Sequence, residues 1–346
     1  MSYSRPLLIL GQGVHIAHAE KEALGFIEKL QWPVLLTWGA LDLLPCNHPL
    51  NIGVFGVCGS RWANKAIQEA DYLLVIGARI DQNITGRNPG LFAPKAAIEV
   101  VDNSRGELDK FKRLNIKMSG NQTDLKKYLV RKSNINPTGK YQEWLNQIRS
   151  WQTQWDWRLH PDRNADSWFR KDETGQLSPY DVITEITQAS GENDIIVTDA
   201  GATLCWTFQN WQVKIGQRLF SSFNHSPMGY ALPAAIGAAF ACPNRPVICI
   251  TGDGSFQMNI QELATIRKHK LNIKIFVLDN RGYGIIRQTQ NTWLEGRTFA
   301  TMEDSNVDLK AISLAYGLSE VTIYPIDPRA RIMPKLGKGK TIEDLD

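Results

Sequence analysis

Residues 246–284, PVICITGDGSFQMNIQELATIRKHKLNIKIFVLDNRGYG, decide how this chain is read. Residues 247–251 are a short β-branched and apolar run ending in Gly252-Asp253-Gly254-Ser255, the pattern of a buried strand that empties into a glycine-rich turn. Such a turn can bring backbone N–H groups close to an anion. Asn259, followed three residues later by Glu262, has the spacing of a capping box, and Ile260, Leu263, Ala264 and Ile266 continue at roughly helical period to the basic end Arg267-Lys268-His269. A second apolar run, residues 273–278, ends in Asp279-Asn280. The spacing predicts a strand, helix, strand crossover with polar residues at both strand C-termini.

In a doubly wound parallel sheet those C-termini form the crevice where phosphorylated ligands bind. Asp253 offers a carboxylate there, Asn280 a side-chain carbonyl and Gly282 a backbone carbonyl. Mg²⁺ prefers such oxygen ligands in an octahedron completed by phosphate oxygens and water, so the unit reads as a metal–diphosphate clamp. An Asp-Gly pair alone is as readily a plain turn. An Asn placed 27 positions after that Asp, between two apolar runs, is far more specific, and it resembles the thiamine diphosphate (ThDP) motif.

The rest of the chain narrows the class. Its 346 residues give room for about two domains, and 43% hydrophobic content is ample for ordinary cores. A formal charge of +4 arises from 39 basic and 35 acidic residues with no basic block, which is no nucleic-acid footprint. Five scattered cysteines without a C-x-x-C pair fit a reduced setting and not a zinc site. The start MSYSRPLLILGQGV has too short an apolar run for a signal peptide, and no segment approaches membrane-spanning length. The expectation is a cytoplasmic protein with no membrane or nucleic-acid partner.

Taken in order, residues 6–10, 33–37, 72–76 and 97–101 are short apolar runs followed by turns and separated by helical patterns, which argues for α/β architecture with mostly parallel strands. Gly11-Gln12-Gly13 after the first run lacks the third glycine of a dinucleotide fingerprint, because Ile16 stands in its place; this counts against an NAD-dependent oxidoreductase. Residues 133–139 read as a linker. Trp144, Trp151 and Trp155, spaced by seven and four, fall on one face of a packing helix. Residues 180–189 form an amphipathic helical pattern with Pro179 in its first turn, residues 195–198 a strand ending at Asp199-Ala200-Gly201, and residues 228–237 (MGYALPAAIG) a small-residue helix. The boundaries expected are 1–132 for a Rossmann-like domain, 133–177 for linker and packing helix, and 178–346 for a diphosphate-binding domain.

Residues 1–130 resemble the central domain of acetolactate-synthase-like ThDP enzymes. The resemblance rests on HPLNIGVFGVCGSRWANKAIQEAD (residues 48–71), IGARID (76–81), Thr85-Gly86, FAP (92–94), and Asp102 followed by Glu107 and Lys110. Flavin-containing members hold FAD on this domain, which implies contacts near Gly11, Gly13, Thr37, Gly56, Gly59, Gly77, Arg79 and Asp102. Ser104 and Asn83 replace an aspartate and an arginine of the family pattern, so FAD stands as an option rather than an expectation.

Residues 180–318 resemble the diphosphate-binding domain of the ThDP-dependent synthase and decarboxylase family, with acetolactate synthase large subunits nearest. The resemblance implies Mg²⁺ ligation by the side chains of Asp253 and Asn280 and by the backbone carbonyl of Gly282. It places Gly201, Gly252, Gly254, Ser255 and Gly284 around the cofactor and Met228 under it, imposing its bent shape. Ala202-Thr203 stand where typical acetolactate synthases carry Gln-His, and Thr289 lies in the segment where they carry a substrate-selecting tryptophan. The glutamate that activates ThDP belongs, by the same resemblance, to a pyrimidine-binding domain preceding the central one, so no catalytic residue is assigned in this chain. After residues 318–323, read as a strand, a helix and most of a strand of the family are missing before a tail, IMPKLGKGKTIEDLD, that resembles the family's ending.

The function implied is a ThDP- and Mg²⁺-dependent component that decarboxylates a 2-keto acid such as pyruvate and transfers the carbanion to a carbonyl acceptor. It would work in a homo- or hetero-oligomer with a pyrimidine-binding domain. The alternative is a catalytically silent ThDP-binding module or truncated family member.

Overall fold

Pro6–Leu10 buries every side chain, as a strand covered on both faces must. In the computed structural model, which describes residues 3–86, 88–113, 118–132, 141–159, 176–301 and 307–327, this strand (β1) lies at the middle of a six-stranded sheet. Its companions are β2 (Val34–Leu36), β3 (Asn51–Val54), β4 (Tyr72–Ile76), β5 (Ala97–Asp102) and β6 (Met118–Gln122), in the order β3-β2-β1-β4-β5-β6. All five pairings are parallel, with Leu8 opposite Val34 on one side and Leu74 on the other. The chain winds outward from β1 in both directions, which makes the β1/β4 boundary a topological switch point.

A second sheet contains β7 (Ile195–Thr198), β8 (Arg218–Phe220), β9 (Val247–Gly252), β10 (Ile273–Asp279) and β11 (Val321–Pro325), in the order β11-β10-β9-β7-β8. β9 pairs with β10 and β10 with β11 in parallel. The fold is therefore α/β with two doubly wound parallel sheets. By contacts the chain forms two units, one of Met1–Arg163, Thr187–Ile195 and Phe208–Phe223, the other of Asn164–Ile186, Ile196–Thr207 and Asn224–Asp346.

The helices follow local chemistry. Glu20–Leu30 opens with Glu20 and Glu22 and ends near Lys29, charges that suit the two ends of its dipole, before Gln31 stops it in the left-handed region. Its Ala23, Phe26, Ile27 and Leu30 are buried at the expected period. In Gln142–Trp155 the indoles of Trp144 and Trp151 meet edge to face at 5.7 Å, and Trp151 and Trp155 stack at 6.5 Å, so the three share a face. The buried Trp144 Nε1 donates to Pro6 O at 3.2 Å, fixing this helix to the start of β1.

One expectation changes. Asn259 does not cap the following helix: residues 260–262 are a 3₁₀ turn, the α-helix runs Leu263–His269, and neither start carries a side-chain cap. The amide is engaged elsewhere, donating to Gly229 O at 2.7 Å. The edge of the second sheet is also partly covered. Leu177 bridges to Ile326 in parallel, its N–H donating to Pro325 O at 2.9 Å while Asp327 N donates to Leu177 O at 3.2 Å. That satisfies backbone groups an edge strand would leave open. The expected linker at 133–139 and the tail from residue 332 lie outside the described residues. Among the described residues no helix is long and apolar enough to cross a membrane.

Candidate functional site

β9 delivers Gly252 in an extended conformation, and the helix Asp253–Met258 begins at the next residue. The glycine-rich turn expected at Gly252-Asp253-Gly254-Ser255 is thus a direct strand-to-helix step. A carboxylate in a helix's first turn favours that early start. Asp253 is buried, with 3% of its surface exposed, and its Oδ2 accepts from Gly282 N at 2.8 Å.

The strand beside β9 supplies the other half. β10 ends at Asp279, whose Oδ1 accepts from Arg281 N at 3.0 Å, and Arg281 itself has φ +54°. This corner turns the chain so that buried Asn280 and Gly282 come to the Asp253 side. A Cβ on Gly284 would lie 2.6 Å from Asn280 Nδ2, so the glycine leaves room for the amide. Tyr283 N donates to Thr301 O at 3.0 Å and holds the far side of the turn.

A third segment carries Met228, which is 39% exposed. A Cβ on Gly254 would sit 2.6 Å from Tyr283 Cε1 and 3.3 Å from Met228 Cε, so Met228 and Tyr283 close over a position only glycine fits. Gly229 (φ +81°) follows, its N–H donating to Asp199 Oδ1 at 3.1 Å, while Ala231 N donates to Asp199 Oδ2 at 3.1 Å. Gly201 (φ +74°) ends the β7 turn, with the nearest side-chain atom to its Cβ position, Ile285 Cγ2, 3.8 Å away. Thr203 Oγ1 lies 3.2 Å from a Cβ on Gly252, and Ser255 is buried. Met228, Gly252, Asp253, Gly254, Ser255, Asn280, Gly282 and Gly284 thus gather on the C-terminal ends of β9 and β10, with Gly201 at the end of β7.

The donor set decides what such a site can hold. Among the described residues there is no group of three or more His, Cys, Asp or Glu suited to a soft or nitrogen-bound metal. One carboxylate, one amide and a backbone carbonyl instead suit a hard divalent cation that takes its remaining ligands from phosphate and water. A helix with no buried residue, Gly284–Trp293, flanks the site, and Ile285 and Ile286 are exposed on it. Thr289 Oγ1 donates back to Ile285 O at 2.9 Å. His225 is exposed, and His48 Nδ1 accepts from Leu50 N at 3.2 Å.

Comparison with known proteins agrees with this geometry. The family described as thiamine pyrophosphate enzyme, C-terminal TPP binding domain, matches residues 199–342, and thiamine pyrophosphate enzyme, central domain, matches residues 1–129. The chain belongs to the thiamine pyrophosphate enzymes. It is 34% identical over 329 residues to the acetolactate synthase isozyme 1 large subunit of Escherichia coli (strain K12), covering 95% of this chain and 56% of that protein. It is 33% identical over 320 residues to the acetolactate synthase large subunit of Lactococcus lactis subsp. lactis (strain IL1403), covering 92% of this chain and 53% of that protein. The chain thus spans about half the length of the curated relatives it matches.

In this member of the thiamine pyrophosphate enzyme family, Gly11, Gly13 and Gly56 of the central domain are required by close packing. A Cβ on Gly11 would lie 2.3 Å from Ala78 Cα, one on Gly13 2.7 Å from Gly77 Cα, and one on Gly56 2.5 Å from Asn83 O. Gly13 N is already donated to Gly77 O at 2.8 Å. Arg79 pairs with Glu107 at 3.4 Å, and Asp102 Oδ1 accepts from Ser104 N at 2.8 Å. Close backbone packing is enough to explain these glycines, nothing in the turns calls for FAD, and no step is routed through a flavin.

Sequence reasoning gave Asp199 no role, although its carboxylate is fully buried against the Met228 turn. Tyr283 was also passed over. The only signal for Asp199 was its place at the end of a short apolar strand.

Proposed function

We propose that this chain is a ThDP- and Mg²⁺-dependent component of acetolactate-synthase type, acting on pyruvate or a similar 2-keto acid and on a second carbonyl compound as acceptor. The observation that carries the reading is the convergence of Asp253, Asn280 and Gly282, fixed by the Asp253–Gly282 hydrogen bond on the matched TPP-binding domain. The names of the relatives support the choice of reaction.

Bound ThDP supplies a thiazolium that takes up the electron pair released when a 2-keto acid loses CO₂. The chain's own part is to bind and orient. Asp253 and Asn280 would hold Mg²⁺ through their side chains and Gly282 through its carbonyl, and the metal offsets the charge of the diphosphate beside Gly254 and Ser255. Met228 would support the heterocycle from beneath. The proton relay to the aminopyrimidine is assigned to a glutamate on a pyrimidine-binding domain of an oligomeric partner or of a longer chain. Met228, Met258, Ile285 and Ile286, all exposed near the clamp, are apolar groups that such a covering domain would bury.

Calorimetric titration of the chain with ThDP tests the clamp. Binding is expected with Mg²⁺, and it should vanish with EDTA and in Asp253→Ala. Metal-independent binding that survives Asp253→Ala would sink the reading. Binding that never yields turnover, even with a pyrimidine-domain partner added, would leave the silent module as the answer.

A further inference from the structure

Asp199 has none of its surface exposed, making it the most deeply buried carboxylate among the described residues. A buried carboxylate is costly unless hydrogen bonds replace its water, and here they do. Oδ1 accepts from Ala200 N at 2.8 Å and Gly229 N at 3.1 Å; Oδ2 accepts from Ala231 N at 3.1 Å and Thr251 Oγ1 at 3.2 Å. One side chain therefore ties the end of β7, the turn after Met228 and the end of β9, two residues before Asp253.

Asn259 grips the same turn from the other side, its Nδ2 donating to Gly229 O at 2.7 Å. Both peptides that flank Gly229 are thus fixed by a side chain. The turn needs holding, since Ser226 at φ +44° lies in the left-handed region that is costly for a residue with a side chain, while Gly229 takes φ +81° without that cost. It is also close-packed: a Cβ on Gly229 would lie 2.7 Å from both Asn259 Nδ2 and Met258 Cβ. The residue whose position these bonds set is Met228, whose Cε reaches the Gly254 platform.

We propose that Asp199 and Asn259 are positioning residues that set the height of Met228 over Gly254, and through it the seat of the ThDP heterocycle rather than of its diphosphate. The proposal rests on the cofactor reading above. Neither residue contributes to the Asp253–Asn280–Gly282 clamp, so clamp and seat can be separated by ligand.

The test uses the full chain with saturating Mg²⁺ and two probes, ThDP and inorganic pyrophosphate, the second reporting the clamp alone. Asn259→Ala and Asn259→Asp, neither of which can donate to Gly229 O, are expected to weaken ThDP binding about tenfold, the worth of one lost hydrogen bond. Pyrophosphate binding should stay within about twofold of wild type. Asp199→Asn should behave alike where it folds, and the Asn259 variants decide the matter where it does not. Equal loss for both probes would mean a merely structural role and overturn the proposal, as would unchanged ThDP affinity. A wild-type chain that binds pyrophosphate no more weakly than ThDP overturns this proposal alone; one that binds neither overturns the cofactor reading with it.

Discussion

Asp102 shows how a single residue can weigh against the fold it sits in. Burial at the end of β5 pushes its carboxyl above the ordinary aspartate value of 3.8; the Ser104 N–H opposes that rise, and the charge of Glu107 adds to it. A raised folded-state pKa means that between the two values the folded chain binds more protons than the unfolded one. Stability therefore falls as pH rises through that window, and the cost persists at neutral pH. Asp102→Asn keeps an oxygen for Ser104 N and removes the charge. It should melt higher than wild type at pH 7, with the advantage shrinking to nothing below about pH 3.8, which paired thermal melts would read. No stretch of sequence announces such a residue, because its environment is assembled from β5 and the helix Arg105–Arg113. Asn259 makes the same point in reverse. Its spacing to Glu262 was a good local signal for a cap, and a carbonyl 30 positions away took the amide instead.

Among the elements, β1 shows the clearest relation between sequence and stability. Leu8 has no exposed surface and lies between Val34 of β2 and Leu74 of β4. Removing most of its side chain leaves a cavity that parallel neighbours on both sides cannot collapse to fill. Leu8→Ala is expected to cost about 2–5 kcal/mol in urea unfolding. Leu24→Ala, at a position 41% exposed on Glu20–Leu30, should stay within about 0.5 kcal/mol of wild type. A β1 substitution as mild as the surface one would mean that the strand is not the centre of its sheet. Runs like PLLIL were legible because a strand buried on both faces must be apolar throughout. β3 (NIGV), β6 (MSGNQ) and β8 (RLF) gave no such signal. β3 and β8 are short, β3 and β6 contain glycine, and the strand state of all three comes from the neighbour they pair with. The bridge from Leu177 to Ile326 was illegible for the same reason, since the partners lie far apart in sequence.

At the scale of the whole molecule, the meeting of Asp253 with Gly282 was legible because both strands and the crossover between them fall within one short stretch. The hold on Met228 was not, because Asp199, Gly229 and Asn259 are joined only by folding. This separation has a thermodynamic consequence. Asp253 and Gly282 follow the ends of two different strands and meet only in the folded state, so a ligand that needs both binds the native chain and not the unfolded one. Such a ligand stabilises by an amount set by its concentration over its dissociation constant, about 2.7 kcal/mol at a hundredfold excess. ThDP with Mg²⁺ should therefore raise the melting temperature progressively with concentration. Mg²⁺ alone should shift it little, because the cation takes much of its shell from the diphosphate, and ThDP with EDTA should not shift it at all. In Asp253→Ala the rise should disappear at every ThDP concentration, whereas in Asn259→Ala it should persist, displaced to about tenfold higher ThDP. Were the two variants to lose the rise equally, metal clamp and heterocycle seat would be one cooperative unit, and the division drawn between them on β9 and the Met228 turn would have to be abandoned.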